Sequence, residues 1–262
     1  MNRLAARWMR RIIPPLVFFL FAAALWEGAV LVFRVPPFVL PGPRGVFAAA
    51  RENLPFLLRA TLVTAGGAFC GFAASTIIGV SIAAVFSQSD LIRRSCYPYA
   101  LFLQTVPIVA IAPLIILWFG VGFPAVVVVS FIISVFPIIT NGTAGLTETD
   151  PDLEALFALN NATRAQRLFK LQMPNAVPYL VAGARIASGL SVIGAIVGEF
   201  FAGFGGARFG LGYLVVLASG QLKTAYLFAA IFASTLLGLV IFWTTGAVGE
   251  AVLLRWRKDP VR

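Results

Sequence analysis

The sequence predicts an all-α fold: a polytopic membrane bundle of about six transmembrane helices with one structured polar loop. Three observations predict it. Of 262 residues, 60% are hydrophobic and only 11% charged, against roughly 25% charged in an ordinary soluble domain. Mean hydropathy is +0.94, more apolar surface than a soluble fold of this size can hide from water. The apolar residues also fall into runs of membrane length, and one marked interruption, LFALNNATRAQRLFKLQMPNAVPY at 156–179, is rich in polar and cationic side chains.

A membrane-crossing helix needs about 20 mostly apolar residues. Windows near 12–33, 60–86, 97–119, 122–144, 178–202 and 224–252 qualify. The first follows a basic start, as a signal peptide does, but its apolar run reaches Phe33 and is read as an uncleaved first helix. The second carries Gly67, Gly71, Ser75, Gly79 and Ala83, a small residue every fourth position, which lets another backbone approach closely. Between 97 and 144 lie Pro107, Pro113, Pro124 and Pro137; the turn-like FGVGF at 119–123 divides this stretch into two helices. The fifth span has Gly194 and Gly198 at the same four-residue spacing. The chain is read as one membrane domain, 1–262, with its N-terminal helix at 12–33, its core at 60–252 and the polar loop at about 148–176.

The net charge of +10 does not point to nucleic acid, whose ligands cluster cations on a solvated face. Here the cations fill gaps between spans. Arg3, Arg7, Arg10, Arg11, Arg93, Arg94, Arg164, Arg167, Lys170, Arg255, Arg257, Lys258 and Arg262 fall on one side. Arg34, Arg44, Arg51, Arg59, Arg208 and Lys223 fall on the other, and Arg185 lies within a span. The positive-inside rule then makes the loop and both termini cytoplasmic. Of the outer segments, 35–59 is proline-rich and then helical in pattern, lying along the surface. The glycine-rich GFGGARFGLGY at 203–213 reads as a turn or re-entrant loop.

Chemistry is sparse. There is no histidine, the commonest general base and metal ligand. Cys70 and Cys96 form no CxxC pair, so they are expected as free, packed thiols and no metal site is expected. No GxxxxGK[ST] is present, so no nucleotide-hydrolysing loop is expected in this chain; no catalytic residue is nominated and transport is the preferred class. Ionisable groups in membrane spans are costly. Glu27 is expected to be paired or near an interface, and Arg185 to reach the inner interface. Glu199 serves either as a hydrogen-bonding anchor or as a lining group. Gln104, Thr105, Ser134, Ser188, Ser191 and Glu199 are the candidate translocation path; bonding to neighbouring backbones is the alternative for the hydroxyls.

In the loop, Asp150 suits an N-cap and Pro151 the first helical position. Leu153, Leu156 and Phe157 make one apolar face. The helix should end at Asn160–Asn161, because asparagine tolerates the left-handed backbone of a C-terminal cap. Thr163 and Gln166 then fit a capping box that opens a second helix, edged by Arg164, Arg167 and Lys170. Pro174 and Pro178 are expected to break that run before the fifth span. Two short helices meeting at an elbow suit a docking surface for a soluble partner; a strip for anionic lipid is the plainer reading.

At this loop the chain resembles permease subunits of ATP-binding-cassette importers. The family's inner loop pairs an acidic-Ala-Ala triplet with a glycine and a later apolar-x-Leu-Pro. Aligned on Pro174, Ala155, Leu156 and Phe157 stand at the triplet, Asn161 at the glycine, and Leu171 and Met173 at the apolar positions. Glu154 is one residue early, and larger side chains replace two alanines. TVPIVAIAPLIILWFGVG, SVFPIITNGTAGL, MPNAVPYLVAGARIASGL, VIGAIVGEF and GLGYLV are similar to the nitrate, sulfonate, taurine and pyrimidine-precursor branch, from about residue 36 onward. The resemblance implies an inner-membrane permease that pairs with a second copy. It implies docking on an ATPase subunit through Ala155, Leu156, Asn160, Asn161, Ala162, Thr163, Arg164, Arg167 and Pro174, the coupling loop. Solute would arrive from an extracytoplasmic binding protein, and ATP and magnesium would be held by the ATPase. An ion-driven secondary transporter or channel is the alternative, and a non-transporting scaffold a third.

Overall fold

A computed structural model describes the backbone over residues 2–202 and 209–257 and the side chains over 13–202 and 209–256. Those residues form helices α1 (Asn2–Val32), α2 (Pro43–Glu52), α3 (Leu54–Gln88), α4 (Asp90–Thr105), α5 (Ile108–Phe119), α6 (Phe123–Thr147), α7 (Pro151–Leu159), α8 (Arg164–Arg167), α9 (Met173–Ala202), α10 (Leu211–Gly220) and α11 (Thr224–Arg257). A π turn, Leu168–Gln172, joins α8 to α9. Five helices are long and apolar enough to cross a membrane, or six if the bent pair α4–α5 is one span. The outward faces agree: Phe18, Phe69, Leu117 and Trp243 are among many large apolar side chains left exposed, as lipid-facing groups are.

The centre of the bundle is α3, α6 and α9. Apolar side chains gain little by leaving lipid for protein, so close backbone approach must hold these helices together. The small-residue stripe of α3 is buried at every predicted position, Gly67, Gly71, Ser75, Gly79 and Ala83, against Val126, Ser130 and Ile138 of α6. On α9, a Cβ added at Gly194 would lie 2.6 Å from Ser130 Cα, and one at Gly198 would lie 2.9 Å from Val126 Cα. No side chain fits there. Ser130 Oγ adds a cross-helix bond, donating to Ser191 O at 2.8 Å.

Four expectations need correction. The window at 97–119 is not one straight helix: it breaks at Val106–Pro107 and turns by 99°. Pro107 is the cause, because it disfavours helical backbone at the residue before it, and Val106 is extended (ψ 123°). The division at 119–123 is present, with Gly120 and Gly122 at φ +79° and +114°. Second, Pro174 and Pro178 do not break the chain; helix runs from Arg164 to Ala202. Proline deprives one preceding carbonyl of its partner, and the wider π turn just before Pro174 absorbs the mismatch. Third, the segment read as a glycine-rich turn or re-entrant loop is helical at its end, where α10 starts at Leu211, while 203–208 lie outside the described residues. Fourth, Cys70 and Cys96 are free but exposed, not packed.

Two charges find partners. Glu27 faces Arg44 at 3.8 Å and accepts from its backbone N–H at 3.4 Å. The Arg185 guanidinium lies over the Phe242 ring of α11, 4.6 Å from its centre, a contact that holds the cation against aromatic surface.

Candidate functional site

The loop between α6 and α9 has a fixed shape, and local chemistry sets most of it. Asp150 caps α7, its carboxylate accepting from Asp152 N at 2.9 Å. At the other end Asn161 takes φ +51°. Asn161 N donates to Ala158 O and Ala162 N to Phe157 O, both at 3.0 Å. That pair of bonds is a Schellman cap, which satisfies the last carbonyls of the helix. Thr163 and Gln166 close a reciprocal capping box: Gln166 N donates to Thr163 Oγ1 at 3.2 Å, and Thr163 N to Gln166 Oε1 at 2.8 Å. Asn160, Asn161, Ala162 and Thr163 are therefore one continuous elbow.

Tertiary bonds then fix the elbow on the bundle. Arg167 of α8 pairs with Glu154 of α7 across the elbow, and Thr149 Oγ1 donates to the other Glu154 oxygen at 2.8 Å. Asn175 Nδ2 reaches Gly145 O and Glu148 O, each at 2.9 Å, supplying donors to carbonyls that the end of α6 leaves open. Tyr179 donates to Glu148 at 3.0 Å. Gln88, the last residue of α3, donates to Gln172 at 2.8 Å. Apart from Arg167 and Glu154, these clamping residues were not singled out from the sequence. The available signal was a row of polar side chains, Gln172, Asn175 and Tyr179, at the mouth of an apolar span.

What the loop presents outward is mixed. Arg164 is exposed, as are Leu153, Leu156 and Leu159, the last at 81%. None of the α7 residues is buried against the chain's own bundle. Ala155 is exposed beside them, and Pro174 sits at the partly buried root.

The other predicted polar residues lie at three places. Ser134, Ser188 and Ser191 are fully buried along α6 and α9, with hydroxyls donated to Ser130 O, Arg185 O and Ser188 O. Thr105 is exposed and bonds Phe102 O. Gln104 is exposed and lines a cavity of about 350 Å³ with Ile108, Ile132 and Pro137. Glu199 is 3% exposed at the end of α9 away from the loop. There it accepts from Thr64 Oγ1 at 2.9 Å and Gly212 N at 2.8 Å, while Leu211 N donates to Thr64 Oγ1 at 2.8 Å. The carboxylate thus sits where the positive N-terminal end of α10 favours it. Gly210 and Gly212 leave the room, since a side chain at either would run into Glu199. Thr64, missed from the sequence, extends the α3 stripe by one turn.

Beyond α10, at that same end, lies a cavity of about 900 Å³ whose walls include Phe38, Phe56, Phe209, Tyr226, Gln221 and Lys223. Among the described residues no group of histidine, cysteine, aspartate or glutamate could hold a metal ion.

Residues 75–253 match the family described as binding-protein-dependent transport system inner membrane component. This chain belongs to that family. The permease is 34% identical to the formylaminopyrimidine transport permease protein ThiX of Halalkalibacterium halodurans, over 93% of this chain and 96% of that one. It is 32% identical to the riboflavin transport system permease protein RibX of Chloroflexus aurantiacus, over 88% and 85%. In fold it resembles a chain of the MetNI methionine ABC transporter solved in inward-facing conformations. The TM-score is 0.68 at 18% identity, over 77% of the permease and 98% of that chain. The permease is thus a multi-pass membrane component of an importer.

Proposed function

We propose that this permease carries a small ring-containing organic solute, of pyrimidine type, along a pathway between its helices. Movement is coupled to ATP hydrolysis by a partner ATPase that docks on the loop around Asn160–Arg164. The loop and both termini are cytoplasmic, a second copy completes the pathway, and an extracytoplasmic protein delivers the solute. ATP and magnesium belong to the ATPase, and this chain performs no catalysis.

The observation that carries the reading is the loop itself. Leu156 and Leu159 are exposed on a helix whose two ends are both capped, which Glu154 ties to Thr149 and Arg167, in a loop whose two roots are joined by Asn175 of α9 bonding the carbonyls at the end of α6. A rigid apolar-and-cationic knob fixed to the central helices can pass a displacement into them, whereas a strip lying on lipid needs no elbow. For the solute, the support is the aromatic wall of the 900 Å³ cavity and the ring compounds in the names of two relatives.

The test is reconstitution with a partner ATPase and a solute-binding protein. ATP-dependent uptake of a labelled pyrimidine is expected. Replacing Asn161–Arg164 together should abolish ATPase co-purification while the permease still inserts. Retained association would overturn the loop as the docking surface, and uptake driven by an ion gradient without ATP would overturn the reading in favour of a secondary transporter.

A further inference from the structure

At the loop end of the bundle, a cavity of about 480 Å³ opens between the first turns of α4 and the last turns of α6. Its lining is unlike any other cavity wall described above. Arg93, Arg94 and Tyr97 come from α4, and Thr140, Thr143 and Thr147 from α6. The spacings, i, i+1, i+4 on one helix and i, i+3, i+7 on the other, put each trio on one face.

The hydrogen-bond inventory shows what is unspent. Thr140 donates to Phe136 O at 3.0 Å and Thr147 to Thr143 O at 2.8 Å. Thr143 is 5% exposed, and its hydroxyl has no partner. A buried hydroxyl without a bond is costly in an apolar setting. Arg93 is paired with Asp90 at 2.6 Å, but among the described residues Arg94 has no ion pair, and it is exposed at the mouth. The Tyr97 ring is held edge-on against Phe86, centroids 6.1 Å apart. Two carboxylates at this end of the bundle are committed: Asp90 to Arg93, and Glu148 to Tyr179.

We propose that this cavity is a binding site for a phosphate-type oxyanion, held by Arg94 and Arg93 and oriented by the Thr143 hydroxyl. The Arg94 guanidinium, the N–H donors of Arg93 beyond its bond to Asp90 and a buried hydroxyl match a tetrahedral anion with several acceptor oxygens. The volume suffices for such an anion with waters, each of which takes about 30 Å³ in the liquid. Its position gives it a consequence. Thr147 is the last residue of α6 and so the root of the loop, while Arg93 and Arg94 lie just past the α3–α4 turn, near the Gln88–Gln172 bond. A bound anion would tie α4 to the base of the loop. The site depends neither on the identity of the solute nor on ATPase docking.

The source is either the headgroup of an anionic phospholipid in the adjacent leaflet or free phosphate. The experiment uses the full chain in a zwitterionic detergent at fixed ionic strength. Thermal unfolding and native mass spectrometry would be followed during titration with a short-chain phosphatidylglycerol, its phosphatidylcholine counterpart and inorganic phosphate. Stabilisation by phosphatidylglycerol but not phosphatidylcholine assigns a headgroup site; stabilisation by inorganic phosphate assigns a free-anion site. In either case Arg94→Gln and Thr143→Val should each weaken binding about tenfold, one charge-assisted bond lost. Arg94→Gln lies at an exposed position and keeps the test open if Thr143→Val lowers yield. Binding of neither anion overturns the proposal. So does binding that Arg94→Gln weakens and a folded Thr143→Val leaves unchanged, since that is surface charge alone.

Discussion

The two ends of α9 are held by different forces. At its start, the loop is fixed by directional bonds between exposed or half-exposed groups: the Schellman cap at Asn161, the capping box at Thr163, the Arg167–Glu154 pair and the Asn175 clamp. In its middle and far half, α9 is fixed by contact: Gly194 and Gly198 against the α6 backbone, with Glu199 sealing the N-terminus of α10. The first kind of structure fails one bond at a time and locally. The second fails all at once, because two helix backbones cannot move apart at one residue only. Under the proposed coupling the bundle transmits motion without coming apart, and a stiff centre with a separately specified knob serves that need.

That contrast can be broken from either end. The largest effect is expected from Gly194→Leu, which forces the α6 and α9 backbones apart. A loss of about 3 kcal/mol or more should appear as collapse of the detergent-stable folded yield. If the yield and melting temperature stay at wild-type values, close approach is not what holds the centre. Next, Glu199→Ala strands the Gly212 N–H and takes one acceptor from the Thr64 hydroxyl, which keeps Ala60 O at 3.1 Å. A cost of about 2 kcal/mol in thermal stability is expected, with Glu199→Gln recovering part of it. If Glu199→Gln leaves stability intact but changes uptake kinetics, the carboxylate lines the path as well as anchoring α10.

At the loop the effects should be smaller in stability and larger in coupling. Asn161→Val places a β-branched side chain at φ +51° and should cost about 1–2 kcal/mol locally. ATPase association should fall while the melting temperature of the bundle barely moves, and Asn161→Gly should restore association. Loss of global stability by Asn161→Val would erase the distinction between the two ends. The smallest change is Thr163→Ala, about 1 kcal/mol of capping. Its readout is faster amide hydrogen exchange confined to the α8 turn; equal acceleration across α9 would mean that the loop and the span unfold as one unit.

Legibility follows the same division. Caps are short-range, so Asp150, Asn161 and the Thr163–Gln166 pair could be read from neighbouring residues alone. The α3 stripe was legible because small side chains at four-residue spacing have one packing consequence. The 97–119 window was misread because hydropathy averages over the one residue, Pro107, that bends it. Helix continuity through Pro174 was missed because a π turn leaves no compositional mark. The polar residues assigned to a path were legible as polar, but not as buried: Ser134, Ser188 and Ser191 face a neighbouring helix whose rotation no local pattern gives.

By itself, the sequence determined the membrane class, the number of apolar runs, and the two-helix elbow with its caps, because each depends on solvent transfer or on bonds spanning a few residues. Only the tertiary structure decided three further things. It set Thr64 of α3 beside Glu199 of α9, 135 positions apart, placed Asn175 under the end of α6, and brought the arginines of α4 to the threonines of α6. Those pairings depend on how helices rotate and cross, and close packing among distant small residues fixes that geometry.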